Sequence, residues 1–396
     1  MNTKRAVQFG AGNIGRGFLG QLYFETGYET TYVDVVQETI DALNARHEYP
    51  LRIVDESITT LTISGVSALH ASNVQAVAEA LAGARLASTA VGVPILPKIA
   101  PVLAAGIARR FQNSNADPLN IIVCENMLNA GPFLREQVRA HLAPEFHDAL
   151  DRKVGFVEAS IGRMVPAPTP ETRAEDPLLI CVEAFCDLPV DRNGFKGPVP
   201  ELKNLQLKDK FGAYVERKLF VHNAGHAVTA YLGYIRGHEF IWQAIADDEV
   251  TKEVAASLAE SCAALVAKHG LDPVELKAHA DDILRRFHNR YLGDPVARVA
   301  KDPIRKLGPN DRLIGAALTC LASGVKPAHL AFAAAAAMRY DHPDDPAALT
   351  LKSVFREDGI AGVLTQYCRV PMDSPLARLI IEGFHRLQRE GWLDKN

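Results

Sequence analysis

The first half of the chain alternates short apolar runs with segments of helical periodicity. Runs rich in Val, Ile or Thr, typical of strands, occupy residues 6–9, 30–35, 86–91 and 120–123. Apolar residues recur at helical spacing between these runs, at residues 14–23, 74–81 and 99–111. Because strands that alternate with helices form parallel sheets covered on both faces, the pattern predicts an α/β fold with a doubly wound parallel sheet.

The second half of the chain changes character. Two further β-like runs, 154–165 and 178–186, flank a proline-rich loop at 166–170 and either form a hairpin or extend the sheet edge. The Gly- and Pro-rich stretch 194–204 then predicts a domain boundary. Beyond it, helical spacing recurs at residues 219–235, 249–269, 273–286, 313–321, 327–338 and 375–390. We therefore predict an α/β domain with extra strands over 1–198 and an all-helical domain over 199–396.

Composition narrows the classes of protein. The 396 residues suit two domains, and a hydrophobic content of 48% is typical of a globular chain. Lys and Arg total 43 against 47 Asp and Glu, without a basic stretch, which argues against a nucleic-acid partner. The most apolar run, 331–338, is too short to span a bilayer, and no apolar leader precedes the first strand. The six cysteines form no CxxC pair, so we expect reduced thiols and a cytoplasmic protein without a membrane partner.

A glycine-rich turn joins the first predicted strand to the first helix. Residues 10–15 read Gly-Ala-Gly-Asn-Ile-Gly, the G-x-G-x-x-G pattern of dinucleotide-binding domains. In that pattern the first glycine permits a tight turn, the second lets the backbone approach a pyrophosphate, and the third lets helix and strand pack closely. The motif predicts a Rossmann-type domain whose cofactor contacts include Gly10, Gly12, Asn13, Ile14 and Gly15. The alternative is a tight turn that binds no dinucleotide; Arg16 either touches phosphate or lies solvated.

Two further elements specify the cofactor. Asp34 ends the second strand, where a carboxylate accepts hydrogen bonds from the adenosine ribose and repels a 2′-phosphate, so we predict NAD rather than NADP. The segment 88–94 ends the strand at 86–91, and ligands of open α/β sheets bind at the carboxyl ends of strands. We therefore expect Thr89, Val91 and Gly92 near the nicotinamide ribose, the alternative being an ordinary turn.

Hydride transfer to or from a carbon that bears a hydroxyl group requires a base and donors for the reacting oxygen. At ~100° per residue, Asn223 lies ~140° and His226 ~80° from Lys218, so the three can share one broad helix face. Asn126 follows the strand at 120–123, and we expect it to meet Asn223 between the domains. Each has a plainer interpretation: a solvated lysine, a core histidine, or a turn-forming asparagine.

A second group of residues, three histidines, is a candidate metal site. His222 and His226 stand four residues apart, and His238 follows. No HExxH glutamate or cysteine cluster accompanies them, so we predict no metal.

Several stretches resemble the polyol-specific long-chain dehydrogenase/reductase family, and in particular its members that act on mannitol 1-phosphate. The family's K-x-x-x-x-N-x-x-H motif matches Lys218, Asn223 and His226. The resemblance is also carried by residues 9–18, 41–47, 89–92, 124–127, 195–197, 215–220, 229–233, 302–307, 311–313 and 335–338. It therefore covers almost the whole chain.

The resemblance implies a Rossmann domain followed by a helical domain. It also implies metal-independent hydride transfer between C5 of mannitol 1-phosphate and C2 of fructose 6-phosphate, with NAD as cofactor. Lys218 is then the general acid/base, Asn126 and Asn223 hold the reacting oxygen, and His226 contacts a substrate hydroxyl.

The chain departs from the family pattern at two positions. Gly162 stands where relatives carry an aspartate before the Arg of D-R-[IV]-x-P, and Arg290 replaces the proline of F-x-N-P. Both bear on the substrate more than on the reaction type. For the sugar phosphate, the natural pool of cations is Lys301, Arg305, Lys306 and Arg312, with Arg290 in addition. Arg305 is the single residue we favour, followed by Lys306 and Arg290; the alternative is surface charge.

Other functions stay open at this point. A sugar-acid reductase of the same family, acting on tagaturonate or fructuronate, needs the same arginines, since a carboxylate and a phosphate bind alike. Two further alternatives fit the motifs less well. One is a hydroxyacid dehydrogenase resembling the 6-phosphogluconate type, and the other is a dinucleotide-binding sensor without catalysis. The expected partner is a small sugar or polyol phosphate, and the expected assembly a monomer or small homo-oligomer.

Overall fold

The computed structural model describes residues 4–55, 57–113 and 117–393 and divides into two compact units, Met1–Phe211 and Gly212–Asn396. The division falls later than the boundary predicted at residue 198. The strand Leu205–Lys208 lies beyond that boundary and still pairs in parallel with Leu188–Asp191 of the first unit. Within the described ranges, no helix is long and apolar enough to cross a membrane.

The strands of the first unit are β1 (Lys4–Phe9), β2 (Tyr28–Asp34), β3 (Glu48–Val54), β4 (Ile58–Ser64), β5 (Val66–His70), β6 (Leu86–Thr89), β7 (Leu119–Val123), β8 (Val154–Glu158), β9 (Ile180–Val182), β10 (Leu188–Asp191) and β11 (Leu205–Lys208). Six of the described strands form one all-parallel sheet in the order β5-β2-β1-β6-β7-β8. This confirms the predicted doubly wound sheet. The chain reverses its direction of travel between β1 and β6, where such sheets bind ligands.

The two β-like runs at 154–165 and 178–186 contribute strands to two different sheets. The first contributes β8, which pairs with β7 at one edge of the large sheet. The second contributes β9, which pairs in parallel with β3, while β3 pairs antiparallel with β4. The described residues of the two runs therefore form no hairpin with each other.

The helices of the first unit are α1 (Gly20–Glu25), α2 (Gln37–Arg46), α3 (Val74–Gly83), α4 (Leu96–Gln112), α5 (Ala130–His141), α6 (His147–Lys153) and α7 (Pro170–Glu175). A π-helix at Gly15–Leu19 precedes α1, and 3₁₀ turns occur at Val93–Ile95, Pro144–Phe146 and Arg192–Gly194. One core includes Leu103, Ile107 and Ile121, and another includes Phe18 and Ile122. Each such side chain contributes about 1.5–3 kcal/mol on burial, so both faces of the sheet are firmly packed.

The second unit is helical over its described residues, as the sequence predicts. Its helices are α8 (Phe211–Arg217), α9 (Asn223–Ile235), α10 (Ile241–Ala246), α11 (Asp248–His269), α12 (Pro273–Phe287), α13 (Val296–Ala300), α14 (Pro303–Lys306), α15 (Ile314–Ala322), α16 (Ala328–Ala337), α17 (Pro346–Val363) and α18 (Pro375–Arg389). π-Helices occupy Lys218–His222 and Leu364–Cys368, and a 3₁₀ turn Arg290–Leu292. The alanine-rich α16 is buried, and a Cβ at Gly383 of α18 would lie only 2.9 Å from Cα of Phe332. Small residues therefore let α16 and α18 pack closely.

A buried carboxylate fastens α18 to the rest of the second unit. Glu253 of α11 is 2% exposed and accepts hydrogen bonds from Nη2 of Arg386 at 2.6 Å and from Nδ1 of His329 at 2.8 Å. Burial by itself raises the pKa of Glu253. The hydrogen bonds and charges of His329 and Arg386 outweigh that effect and lower the pKa to about 2.

Replacing Glu253 by Ala should weaken the docking of α18. We expect the free energy of unfolding of the second unit to fall by about 1.5–3 kcal/mol at neutral pH, as for lost hydrogen bonds to a charged group. In a Trp242→Phe background, the fluorescence of Trp392 during urea unfolding measures this, because Trp392 packs against a buried ring of α16.

The same pair predicts a pH dependence. Because folding depresses the pKa of Glu253, its contribution is complete above the ordinary value of 4.5 and is lost as the pH falls towards 2, so wild type and variant should converge in acid. The control is Asp281→Asn, which removes an exposed ion pair with Lys277 and should change little. Equal unfolding midpoints for wild type and the Glu253 variant at pH 7 would contradict the assignment.

Candidate active site

In the glycine turn after β1, two of the three glycines have no room for a side chain, whereas the third faces open space. Gly10 has a φ of +92°, and a Cβ there would lie 2.5 Å from the carbonyl oxygen of Ala90. A Cβ at Gly15 would overlap the carbonyl oxygen of Gly10. At Gly12, by contrast, a Cβ would meet no described atom within 4 Å. The turn therefore leaves its backbone accessible at the position where a pyrophosphate approaches in such motifs.

Arg16, in the helix that begins at this turn, links the turn to a distant part of the chain. Its guanidinium is buried and donates to the carbonyl oxygens of Ala11 and Leu178, both at 2.6 Å, and burial lowers its pKa. The alternative of a solvated Arg16 side chain is therefore wrong. Ile14 directly precedes the π-helix, and Nδ2 of Asn13 donates to the carbonyl oxygen of Pro166 at 3.3 Å.

Asp34 stands at the end of β2 beside the glycine turn. Its Oδ2 accepts the N–H of Ala11 at 2.6 Å, and Oδ1 accepts the N–H groups of Val35 and Val36 at 2.7 and 3.0 Å. A carboxylate offers about four acceptor positions, so the three backbone donors leave capacity for another. Asp34 therefore braces the turn and is able to accept a ligand hydroxyl as well.

Glu125, which the sequence analysis passed over, organises the predicted nicotinamide segment. It follows β7 and is buried, and its Oε2 accepts the hydroxyl of Thr89 at 2.6 Å while Oε1 accepts the N–H of Val91 at 2.9 Å. The N–H of Gly92, whose φ is +90°, also faces this carboxylate. Its neighbour Asn126 is exposed at the same carboxyl edge of the sheet. The signal in the sequence was an acidic residue two positions after the end of a buried strand.

In the second unit, a π-turn brings two predicted residues onto one face. The N–H of Asn223 donates to the carbonyl oxygen of Lys218, five residues earlier, across the π-helix Lys218–His222. Asn223 therefore lies about one turn above Lys218. The angle between the two side chains around the helix axis is smaller than the ~140° of a regular α-helix. His226 follows Asn223 by three residues and so shares its face. Sequence periodicity does not reveal a π-turn, and insertions of this kind often mark functional sites.

His226 is held by a second residue that the sequence analysis missed. Its ring stacks on Phe287, with centroids 4.9 Å apart, and its Nε2 lies 3.1 Å from Oδ2 of Asp294 without the alignment of a full hydrogen bond. Arg298 donates to the other oxygen of Asp294 at 2.6 Å. Burial by itself raises the pKa of Asp294, but His226 and Arg298 outweigh that effect and lower it. Asp294 is therefore a buried anion beside His226.

Burial lowers the pKa of two histidines in the second unit, His222 and His279. Burial, with a contribution from the charge of Arg286, holds the pKa of His222 well below its usual range, and burial lowers that of His279 to about 3. His238 pairs with Asp247 at 3.2 Å. Among the described residues, no group of three or more His, Cys, Asp or Glu side chains is arranged to hold a metal ion.

The predicted phosphate ligands fall into two places. Arg305 donates to Asp302 at 2.9 Å and to Asp311 at 3.0 Å, and Arg312 donates to Asp311 at 2.7 Å. Nζ of Lys306 donates to the carbonyl oxygen of Lys301. Arg290 lies apart from these interactions, with its guanidinium 5.0 Å from the ring centroid of its neighbour Tyr291. Arg305, the favoured candidate, therefore already serves two carboxylates.

Lys306 is the unusual cation of this cluster. It is buried, and burial together with the charges of Arg312 and Arg305 lowers the pKa of its ammonium group to about 7. A bound anion would favour its charged form. The cluster thus contains a proton site that responds to negative charge at neutral pH.

The segment with Gly162 keeps its structural anchor although the family aspartate is missing. Arg163 is buried and donates to the carbonyl oxygens of Glu183 and Gly17, both at 3.0 Å. A Cβ at Gly162 would come within 3.3 Å of the Phe185 ring. A larger residue at this position would require that ring to move.

Comparison with known proteins gives the family. The family model of the mannitol dehydrogenase Rossmann domain matches residues 4–204, and that of the mannitol dehydrogenase C-terminal domain matches residues 210–366. A mannitol-1-phosphate 5-dehydrogenase of Brevibacillus brevis is 40% identical over 383 residues, which cover 97% of this chain and 98% of that protein.

Solved structures share the fold at low sequence identity. A D-sorbitol dehydrogenase in substrate-free form has a TM-score of 0.81 at 16% identity and covers 99% of this chain and 96% of its own. The Pseudomonas fluorescens mannitol 2-dehydrogenase, solved with NAD and D-mannitol, has a TM-score of 0.72 at 17% identity. The match covers 99% of this chain and 93% of that protein. With both family models matched in order along the chain, this protein belongs to the mannitol dehydrogenase family.

Proposed function

We propose that the protein catalyses the NAD-dependent interconversion of mannitol 1-phosphate and fructose 6-phosphate. The observation that carries the proposal is the face shared by Lys218 and Asn223 on the π-turn, in a chain 40% identical to a mannitol-1-phosphate 5-dehydrogenase over nearly its full length. The sequence resemblance to the polyol-specific dehydrogenases supports the same reaction.

The cofactor site is proposed at the carboxyl edge of the large sheet. Gly10, Gly12 and Gly15, with the backbone of Asn13 and Ile14, form the turn for the pyrophosphate. Asp34 accepts the ribose hydroxyls, and Thr89, Val91 and Gly92 border the nicotinamide end. NAD supplies a hydride acceptor when bound. The open space at Gly12 and the remaining acceptor capacity of Asp34 fit this cofactor.

The reaction is proposed to depend on Lys218. In polyol oxidation, its neutral amine takes the proton of the C5 hydroxyl, and in ketose reduction its ammonium returns it. Asn126 and Asn223 donate amide N–H groups to the reacting oxygen and stabilise the negative charge that develops there. His226, held by Phe287 and Asp294, contacts another substrate hydroxyl.

Phosphate recognition is proposed at the cluster of Arg305, Lys306 and Arg312, with Arg290 as an additional candidate. Asp302 and Asp311 neutralise two of the cluster's three cations, so its excess charge is supplied when Lys306 is protonated. The lowered pKa of Lys306 therefore suits an anion that binds together with a proton.

Substrate class is tested by NADH oxidation with fructose 6-phosphate, fructose, tagaturonate and fructuronate in parallel. We expect fructose 6-phosphate to be preferred, and Lys218→Ala to lower kcat by about 10²–10⁴-fold, as for loss of a positioned acid/base. Lys252→Ala, at an exposed lysine of α11, is the control and should retain activity. Preference for a keto acid would move the protein to the sugar-acid branch, and no turnover of any of the four compounds would favour a sensor.

Cofactor binding is tested at the open glycine. Gly12→Ala adds a methyl group that meets no protein atom, so we expect an unchanged Tm but a Kd for NADH raised by about tenfold or more, because the methyl group occupies the path of the pyrophosphate. Gly83→Ala, also without a neighbour within 4 Å, is the matched control. Unchanged NADH fluorescence titrations for Gly12→Ala would place the pyrophosphate elsewhere.

The positioning of His226 is tested at Asp294. Asp294→Asn keeps the volume but removes the charge beside the imidazole, and we expect kcat to fall by about 10–100-fold with a shifted pH profile. Arg298→Ala leaves the pair between His226 and Asp294 in place and should change kcat only slightly. If the two variants behave alike, the orientation of His226 does not depend on the Asp294 charge.

A further inference from the structure

The carboxyl group of Glu125 is buried and surrounded by neutral donors. It is 6% exposed, and its partners are the hydroxyl of Thr89 and the backbone N–H groups of Val91 and Gly92. Burial raises the pKa of Glu125, and the hydrogen bonds offset part of that effect. These donors stabilise the carboxylate in place without cancelling its net charge, because none of them is a cation.

The sheet topology places this charge on one particular half of the dinucleotide site. Asp34 ends β2, on one side of the switch point between β1 and β6, and is the proposed acceptor for the adenosine ribose. A dinucleotide that crosses the switch point extends its other half over the carboxyl ends of β6 and β7. Glu125 follows β7 and is bonded to the segment that follows β6, so it lies beneath the nicotinamide half.

The charge of the nicotinamide ring depends on its redox state. The ring carries a positive charge when oxidised and none when reduced. A fixed negative charge in a poorly solvated place therefore stabilises the oxidised form and leaves the reduced form almost unaffected. A neutral side chain of the same shape keeps the hydrogen-bonded segment but removes this discrimination.

We propose that Glu125 is a positioning residue that holds the Thr89–Gly92 segment and makes the site bind NAD⁺ in preference to NADH relative to a neutral residue at the same position. The proposal rests on the cofactor site proposed above. It assigns to this buried carboxylate a role in the redox balance of the cofactor, in addition to fixing the loop beside Asn126.

The test compares the two cofactor forms directly in the full-length protein. We would measure the Kd of NADH by its fluorescence and that of NAD⁺ by calorimetry at pH 8.5 for wild type, Glu125→Gln and Glu125→Asp. We expect the ratio of the NAD⁺ Kd to the NADH Kd to rise by about tenfold in Glu125→Gln and to stay near the wild-type ratio in Glu125→Asp, which keeps the charge. A rise of less than about threefold in Glu125→Gln would overturn the proposal.

The matched control is Glu158→Gln at the end of the neighbouring strand. Glu158 is also a partly buried carboxylate, but it accepts the N–H of Ala130 and makes no contact with the Thr89–Gly92 segment among the described hydrogen bonds. The ratio of the NAD⁺ Kd to the NADH Kd in Glu158→Gln should equal that of wild type. An equal rise of this ratio in Glu158→Gln and Glu125→Gln would also overturn the proposal. If wild type binds neither form, the cofactor site itself is wrong, whereas normal wild-type binding with an unchanged variant ratio refutes only the role of Glu125.

Discussion

The carboxyl edge of the large sheet depends on carboxylates that accept backbone N–H groups across neighbouring strands. Loops that leave a parallel sheet carry N–H groups that no longer pair within it, and buried donors of this kind are costly without an acceptor. Asp34 after β2 accepts the N–H of Ala11 after β1, Glu125 after β7 accepts that of Val91 after β6, and Glu158 of β8 accepts that of Ala130 after β7. Each carboxylate therefore fixes the loop of the adjacent strand.

In the second unit, side chains on one helix are positioned by a π-turn and by tertiary contacts. The proposed catalytic residues Lys218, Asn223 and His226 must face one way, and regular α-helical spacing would place Asn223 about 140° around the axis from Lys218. The π-turn at Lys218–His222 shortens the angular distance between Lys218 and Asn223, and the stacking of His226 on Phe287 fixes the third group. Asp294 then restrains the imidazole from the side, as the strand-end carboxylates restrain the loops of the first unit.

The sequence predicted those features that depend on local pattern. The strands at β1, β2, β6 and β7, the glycine turn and the helical second unit follow from periodicity and from one motif with a known physical purpose. β4 (Ile58–Ser64) was missed because five of its seven residues are exposed and its pairing with β3 is not visible in periodicity. The burial of Arg16 was not foreseen for a similar reason, since its two carbonyl acceptors include that of Leu178, distant in the chain. Glu125 and Asp294 acquire their roles only from tertiary partners.

The distribution of charge along the first unit fits a ligand that changes sign along its length. Residues 10–15 carry no charged side chain, and the space at Gly12 is open, which suits the pyrophosphate of the proposed cofactor site. The carboxylates stand to either side, at Asp34 and Glu125, after strands on opposite sides of the switch point. A ribose offers hydroxyl donors to the first, and an oxidised nicotinamide offers a positive ring to the second. In the proposed site, the residues that stabilise the loops thus also present acceptors at the two ends of the dinucleotide and leave its pyrophosphate to the glycine turn.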